Sequence, residues 1–419
     1  MLPPLAVDGR PGEHPGPAVP VETARPALGR LVGDVTSFAQ VSWAQEPALR
    51  ATADSSGFDD LLDAACVDEL LGRRGLRTPF LRVAKDGATL GSAAFTAPGG
   101  VGAAIADQVS DDKLAALFAD GSTLVLQGLH RTWPPIIDFC QQLATDLGHP
   151  VQANAYVSPP QNQGFADHYD VHDVFVLQVS GRKKWSIHAP VLPSPLRDQP
   201  WTDRRDDVRT AAEQEAVLDV VLEPGDVLYL PRGYLHSATA LGGVTVHLTL
   251  GVHSWTRYCV AEQLVAVALE GLAHDPEARS SLELGTTLAP QELDIELITA
   301  KLRDALAAID PAEVTDRLRA QRRRTQRAEP LGPLAQHALA ATMTDRTTLR
   351  LRHHLDGDLD GADVPGTARR LLTRAGTVTV DDVPHDALQR LLAGDVLLAE
   401  EIGIDPARRL VHAGLVVAG

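Results

Sequence analysis

Residues 163–185 read Gln163-Gly-Phe-Ala-Asp-His-Tyr-Asp-Val-His-Asp-Val-Phe-Val-Leu-Gln-Val-Ser-Gly-Arg-Lys-Lys-Trp185. The pattern predicts a strand, a tight turn at Ser180-Gly181 and a returning strand. A strand turns residues i and i+2 to one side, so His168 and Asp170 present an imidazole and a carboxylate together while Tyr169 faces away. In the returning strand Lys183 shares its parity with Trp185 and Ile187, whereas Lys184, Ser186 and His188 fall on the other face. An ammonium on an apolar face is costly unless an anion meets it or its head reaches water.

The same test applied outward keeps finding polar groups on one face of apolar strands. In Val151 to Val157, Gln152, Asn154 and Tyr156 alternate with Val151, Ala153, Ala155 and Val157. In Val244 to Gly251, Thr245, His247 and Thr249 alternate with Val244, Val246, Leu248 and Leu250. For one strand this means polar outside and apolar inside on a half-solvated sheet. Three such strands around a His-x-Asp motif point instead to a barrel with a polar lumen. Between them lies Leu222-Glu-Pro-Gly-Asp-Val-Leu-Tyr-Leu-Pro-Arg-Gly-Tyr-Leu-His236, in which Pro224-Gly225 suits a turn with positive φ at its third residue. His236 then supplies a second imidazole. Two histidines and one carboxylate with open positions are the ligand set of non-heme Fe(II) oxygenases. His-x-Asp arises easily by chance among 15 histidines, so the flanking strands carry the argument.

This order of motifs resembles the JmjC-type cupins, most closely the ribosomal oxygenases, which hydroxylate side chains of ribosomal proteins with Fe(II) and 2-oxoglutarate. The resemblance rests on Asn154-Ala-Tyr-Val-Ser-Pro-Pro-Gln-Asn-Gln-Gly-Phe-Ala-Asp-His-Tyr-Asp170, Phe175 to Trp185, Pro224 to His236, His247-Leu-Thr-Leu250 and an upstream run from Val67 to Val83. It implies a mainly β catalytic core, a double-stranded β-helix (cupin/JmjC) barrel, with His168, Asp170 and His236 holding iron. It implies further that Lys183 pairs with the distal carboxylate of 2-oxoglutarate, that Asn154 and Tyr156 line the cosubstrate pocket, and that His247 and Thr249 lie on the strand closing it. With O₂ as second cosubstrate, the expected reaction replaces a C–H hydrogen by hydroxyl. Gly251 departs from the pattern, standing where several relatives carry a serine.

The 419 residues carry 44% hydrophobic and 22% charged side chains and no apolar run of the ~20 residues that span a bilayer. Residues 1–30, rich in Pro and Gly, are expected to be a disordered lead without the layout of a secretion signal. Cys66, Cys140 and Cys259 are scattered and lack metal-ligand spacing, which reads as reduced thiols of a cytoplasmic protein. A net charge of −17 argues against a basic stripe over the whole surface, but not against a local one. Gly99-Gly-Val-Gly102 is too short for a phosphate loop and reads as a surface turn. Trp133 is assigned to the core and His130 to a structural donor.

The catalytic domain is expected over 31–255. Beyond it, apolar spacing predicts helices over Arg257 to His274 and Asp294 to Ile309, and Asp310-Pro311 starts another that carries Arg317, Arg319, Arg322, Arg323, Arg324 and Arg327. That arginine run reads as a solvated face, with binding of an anion such as ribosomal RNA as the sharper alternative. By the resemblance, 256–330 forms a homodimer interface and 334–419 a winged-helix-like domain. The latter is expected to hold a strand over Thr347 to His353 and helices near Thr367 to Arg374, Pro384 to Ala393 and Pro406 to Ala413. With 9 Lys+Arg against 12 Asp+Glu in residues 331–419, a net of −3, direct DNA readout is not expected. Three other readings remain open: the same chemistry on a peptide or small metabolite, N-methyl-lysine demethylation, and an inert metal-binding cupin scaffold.

Overall fold

Two long strands organise the part of the chain before residue 255. In this computed structural model, which describes residues 25–52, 57–85, 87–160, 165–360, 368–374 and 376–419, the chain opens with helices α1 (Pro26–Val32) and α2 (Val35–Val41), strand β1 (Ala48–Arg50) and helix α3 (Ala64–Arg73). Strands β2 (Leu81–Lys85), β3 (Ala88–Thr89), β4 (Thr96–Ala97) and β5 (Gln108–Val109) follow. Next come helix α4 (Asp111–Ala119), strand β6 (Thr123–Leu126), and helices α5 (Leu129–Thr132) and α6 (Pro134–Leu147). Then come β7 (Val151–Ser158), β8 (Asp173–His188), α7 (Arg205–Ala212), β9 (Leu218–Leu222), β10 (Val227–Leu230) and β11 (Leu235–Val252). Local chemistry fixes the helix starts: the Asp34 carboxylate accepts from Thr36 and Ser37 N–H, and that of Asp63 from Cys66 N–H.

Nine of these strands form one sheet in the order β1-β10-β8-β11-β7-β6-β2-β3, with β9 on β8. Both of its faces are covered. Ala153, Ala155, Val157, Phe175, Leu177, Leu248 and Leu250 pack with Leu28, Leu31, Ile136, Cys140 and Leu143 from α1 and α6. On the opposite parity, Val174, Val176, Trp185, Ile187, Leu222 and Leu228 make a second cluster. The polar residues alternating with the first set therefore face an interior space, not bulk water.

β8 runs unbroken through Ser180-Gly181, where the sequence predicts a tight turn. Gly181 takes φ +65°, and an added Cβ would collide with the Val244 carbonyl, so the pair bends one strand instead of reversing it. Before the bend β8 pairs with β10; beyond it, with β9; β11 follows both halves through register shifts between Leu241 and His247. Pro224-Gly225 does make the expected turn, with Gly225 at φ +96° and Asp226 N–H donating to Glu223 O at 3.0 Å.

Three helices follow: α8 (Arg257–Leu272), α9 (Ile295–Ala307) and α10 (Pro311–Thr325), the last capped by the Asp310 carboxylate with proline in its first turn. Four of the six arginines in the predicted basic run are ion-paired: Arg317 to Glu270 and Glu313, Arg319 to Asp316, Arg322 to Asp356 and Arg323 to Asp358. The remainder comprises α11 (Pro333–Thr342), β12 (Thr348–Leu351), β13 (Gly357–Asp360), β14 (Arg370–Thr373), β15 (Gly376–Thr379), α12 (His385–Ala393), β16 (Val396–Leu398), α13 (Ala399–Ile402), α14 (Ile404–His412) and β17 (Val416–Ala418). It has its own core around Leu349, Leu371, Leu388, Leu397 and Leu410.

Three further expectations are corrected. The helix predicted near Thr367 to Arg374 is strand β14 over its described part; Leu371 and Leu372 pair with β13 and β15, and pairing overrides local propensity. The lead expected through residue 30 gives way at Pro26, because Ala27, Leu28 and Leu31 of α1 are buried against the sheet; residues 1–24 lie outside the described residues. His130 accepts rather than donates, taking the Ala153 N–H at 3.0 Å. Trp133 is buried and donates to Leu61 O. Among the described residues, no helix is long and apolar enough to cross a membrane, and the three cysteines are unpaired.

Candidate metal centre and its cavity

His168 and Asp170 do not lie on a regular strand, as the i, i+2 argument assumed. They precede β8, and their presentation depends on a single bridge between His168 and His236. His236 N–H donates to His168 O at 2.8 Å and His168 N–H to His236 O at 3.3 Å. Tyr169 does turn away, buried with Val208 and Leu235 and donating its hydroxyl to Gln199 O. One ligand atom each from His168, Asp170 and His236 lies within 4.8 Å of the others. The two imidazoles stand 4.4 Å apart, and His236 Nε2 is 3.7 Å from Asp170 Oδ2.

The donor set suits a cation. His168 Nδ1 faces Ala166 O at 2.8 Å and His236 Nδ1 faces Tyr234 O at 3.1 Å. A carbonyl only accepts, so each Nδ1 carries the proton and each Nε2 keeps its lone pair for a metal. Burial, reinforced by His168, pushes the His236 pKa down to about 4, leaving a neutral imidazole at neutral pH. Burial opposes ionisation of Asp170, yet His172, His236, His168 and Arg82 outweigh it and hold the carboxyl below its ordinary range.

From the triad a narrow cavity of about 60 Å³ runs inward past Tyr156, Phe165, Val176, Trp185, His247 and Thr249 to Thr123 and Lys183. Lys183 is 3% exposed, and burial lowers its pKa to about 7. Its ammonium donates to Ser158 Oγ at 3.3 Å, which also accepts from Thr123 Oγ1 at 3.1 Å. Among the described residues no carboxylate pairs with it. Trp185 Nε1 and His247 Nδ1 are buried in this wall without partners among the described residues. An interior that leaves a cation and two polar nitrogens unmatched is built for an anionic, hydrogen-bonding guest.

The remaining predicted residues divide. Tyr156 stacks on His247 at 4.8 Å and Thr249 lines the cavity, but Asn154 is outside its wall, its side-chain oxygen accepting the Gly128 N–H at 3.0 Å. A Cβ at Gly251 would press on Gln152 and His172, each at 3.0 Å, so those side chains fill the space beside this glycine. Thr123, Ser158 and Arg82 were missed. Ser158 continues the parity of Gln152, Asn154 and Tyr156 by one step, so that signal was present. Thr123 became visible only through its hydrogen bond to Ser158, and Arg82 only through pairing, with Arg82 opposite Val125 and Val125 opposite Tyr156.

Comparison with known proteins gives the class of this architecture: residues 132–259 match the JmjC domain family, so the mainly β core carries a JmjC domain. Among curated proteins the chain is similar to human ribosomal oxygenase 1, 42% identical over 142 residues, 33% of this chain and 21% of that protein. It is also similar to the bifunctional lysine-specific demethylase and histidyl-hydroxylase NO66 of Drosophila persimilis, 27% identical over 259 residues, 60% of this chain and 35% of that one. The chain thus spans about a third or less of the length of these relatives. Among solved structures, Escherichia coli ribosomal oxygenase YcfD superposes with a TM-score of 0.53 at 16% identity, covering 92% of this chain and 98% of that one. The resemblance to JmjC ribosomal oxygenases stated from the sequence is borne out.

Proposed function

We propose that the chain is an Fe(II)- and 2-oxoglutarate-dependent oxygenase that hydroxylates an arginine or histidine side chain of a ribosomal protein. One observation carries this reading: a single cavity joins a three-donor cation site to a buried lysine that has no anionic partner among the described residues. In this reading His168, Asp170 and His236 hold the iron, and Lys183, supported by Ser158 and Thr123, takes the distal carboxylate of 2-oxoglutarate. YcfD, of the same fold, has been crystallised in complex with cobalt and 2-oxoglutarate, which supports assigning that pair of ligands here. Bound iron, with 2-oxoglutarate and O₂, supplies the oxidising power that exchanges a C–H hydrogen for hydroxyl. The chain's own part is to orient and shield. The His168–His236 bridge sets the ligand spacing, Lys183 fixes the cosubstrate's far end, and Tyr156, Phe165 and Trp185 limit water.

The finer architecture we propose is a double-stranded β-helix barrel within 31–255, a homodimer segment over 256–330 and a winged-helix-like domain over 334–419. Exposed Val260, Val265 and Leu269 on α8, with Ile295, Leu297 and Ile298 on α9, support the dimer. Free thiols at Cys66, Cys140 and Cys259 support cytoplasmic residence.

The test is conversion of 2-oxoglutarate to succinate by the purified chain with added Fe(II) and no protein substrate, followed by intact-mass comparison of ribosomal proteins from cells with and without it. We expect succinate and one ribosomal protein lighter by one oxygen in the cells that lack it. Absence of succinate returns the chain to an inert scaffold.

A further inference from the structure

At the metal end of the sheet a second and larger cleft, about 1040 Å³, passes from Gln152, Val171 and His253 outward between α6, α8 and the residues after α10. Its wall carries Arg131, Arg197, Arg232, Arg324, Arg327 and Arg374 against the acids Asp198 and Glu262. An adjoining cavity of about 410 Å³ shares Arg131, Arg327 and Arg374 and adds Arg352 together with Asp356, whose carboxylate is taken by Arg322. In a chain of net charge −17 this is a concentrated reversal of sign. Arg232 is engaged by Asp173 at 3.5 Å, and Arg352 is tied to the carbonyl of Glu329. Arg131, Arg324, Arg327 and Arg374 have no carboxylate partner among the described residues, in contrast to the ion-paired Arg317, Arg322 and Arg323 of α10.

These arginines come from separate parts of the chain: the end of α5, the segment after α10 and the segment after β14. Arg131 is driven below its ordinary pKa by burial and then by repulsion from Arg327 and Arg374. Arg352 is lowered by burial, with Arg327 and Arg374 opposing the relief from Glu329. His130 and His253, both pushed down to about 4 mainly by burial, add polarity but no charge. Four convergent guanidinium groups, unpaired with any carboxylate among the described residues, imply an anion supplied from outside. The guanidinium fork matches carboxylate and phosphate alike. The other contents of the wall separate the two: Trp255, whose buried Nε1 has no partner among the described residues, and Tyr258, 53% exposed, stand in the same cleft. Flat aromatic faces beside arginines suit a strand that alternates phosphates with planar bases, which an acidic peptide does not offer. A duplex carries its phosphates on a convex rod and would reach only the rim.

We propose that this arginine-lined cleft binds single-stranded RNA through its phosphates, next to the mouth of the metal cavity. The inference does not depend on the oxygenase reading, and the two fail separately. The test uses the full chain and a fluorescein-labelled 12-nucleotide RNA followed by anisotropy over a range of salt. The expected result is binding that weakens linearly in log-log form with salt, with the slope falling by about 0.7 for each phosphate contact removed. Arg327→Glu and Arg374→Glu together should weaken binding at least tenfold, while 2-oxoglutarate turnover and the circular dichroism spectrum stay unchanged. No binding at low salt, or equal binding by the double variant, overturns the proposal. Competition by inorganic triphosphate at equal phosphate concentration, or by a poly-glutamate peptide at equal charge, overturns it in favour of a small-anion or acidic-peptide site.

Discussion

The two ends of the inner cavity are finished differently. At the mouth every donor is already held: two imidazoles are oriented by the carbonyls of Ala166 and Tyr234 and clamped by a backbone bridge, and the carboxylate between them is kept ionised by its neighbours. At the floor, among the described residues, Lys183 meets only a hydroxyl, and Trp185 Nε1 and His247 Nδ1 meet no partner. The mouth is organised for a cation before one arrives. The floor becomes satisfied only when an anion enters, so binding at the floor carries a free-energy gain that the mouth does not have in reserve.

The largest effect should come from breaking the mouth. Removing a group that orients a metal-bound histidine costs about 10–100-fold in metal affinity, so deleting a ligand itself, by Asp170→Ala or His236→Ala, should exceed that and abolish 2-oxoglutarate turnover. Isothermal titration with Co(II) checks the affinity, and a variant that binds as the parent does would remove the triad from its assigned role. Breaking the floor should spare the metal. Lys183→Met should leave Co(II) affinity unchanged and raise the KM for 2-oxoglutarate about 30-fold or more, corresponding to ~2 kcal/mol for a buried charge partner. It should also stabilise the ligand-free protein by ~1 kcal/mol, read as a higher Tm, since a buried cation without a counter-ion is exchanged for an apolar side chain.

Lys183 also predicts a pH dependence. Its folded pKa of about 7 lies below the ordinary 10.5, so between those values the unfolded chain binds more protons than the folded one. Ligand-free stability therefore gains from this group as pH rises from 7 to 10.5. Affinity for 2-oxoglutarate should move the other way, falling above pH 7 as the ammonium is lost. Parallel titrations of Tm with and without 2-oxoglutarate, under nitrogen, would show the two trends diverge in the parent and coincide in Lys183→Met.

Parity made the floor legible in the sequence. Lys183 with Trp185 and Ile187, and Tyr156 with Gln152, are statements about a period of two, which survives whatever the strand pairs with. The mouth was legible by residue type but for a reason that proved incomplete, because His168 and Asp170 are presented by a bridge to His236 and not by strand alternation. Ser180-Gly181 was misread because a positive-φ glycine serves a hairpin and a bent strand equally well, and only the pairing of both halves of β8 with β11 separates them. The arginine cleft was hidden for a similar reason. Arg131, Arg327 and Arg374 are far apart in the chain, and a net charge of −17 says nothing about where the positive charges gather.

Two smaller perturbations test how the ends are connected. Gly181→Ala forces a side chain into left-handed φ and against the Val244 carbonyl. It should cost ~2 kcal/mol of stability and, because the bend aims Lys183 at the cavity, raise the KM for 2-oxoglutarate without weakening Co(II) binding. The smallest effect expected is that of Thr123→Val. It removes the hydroxyl that donates to Ser158 at 3.1 Å, leaving Lys183 itself in place. The loss of one neutral hydrogen bond, ~1 kcal/mol, should appear as an approximately fivefold rise in KM at unchanged kcat. If Thr123 only filled space, the isosteric valine would leave KM where it was, and the floor would reduce to the lysine alone.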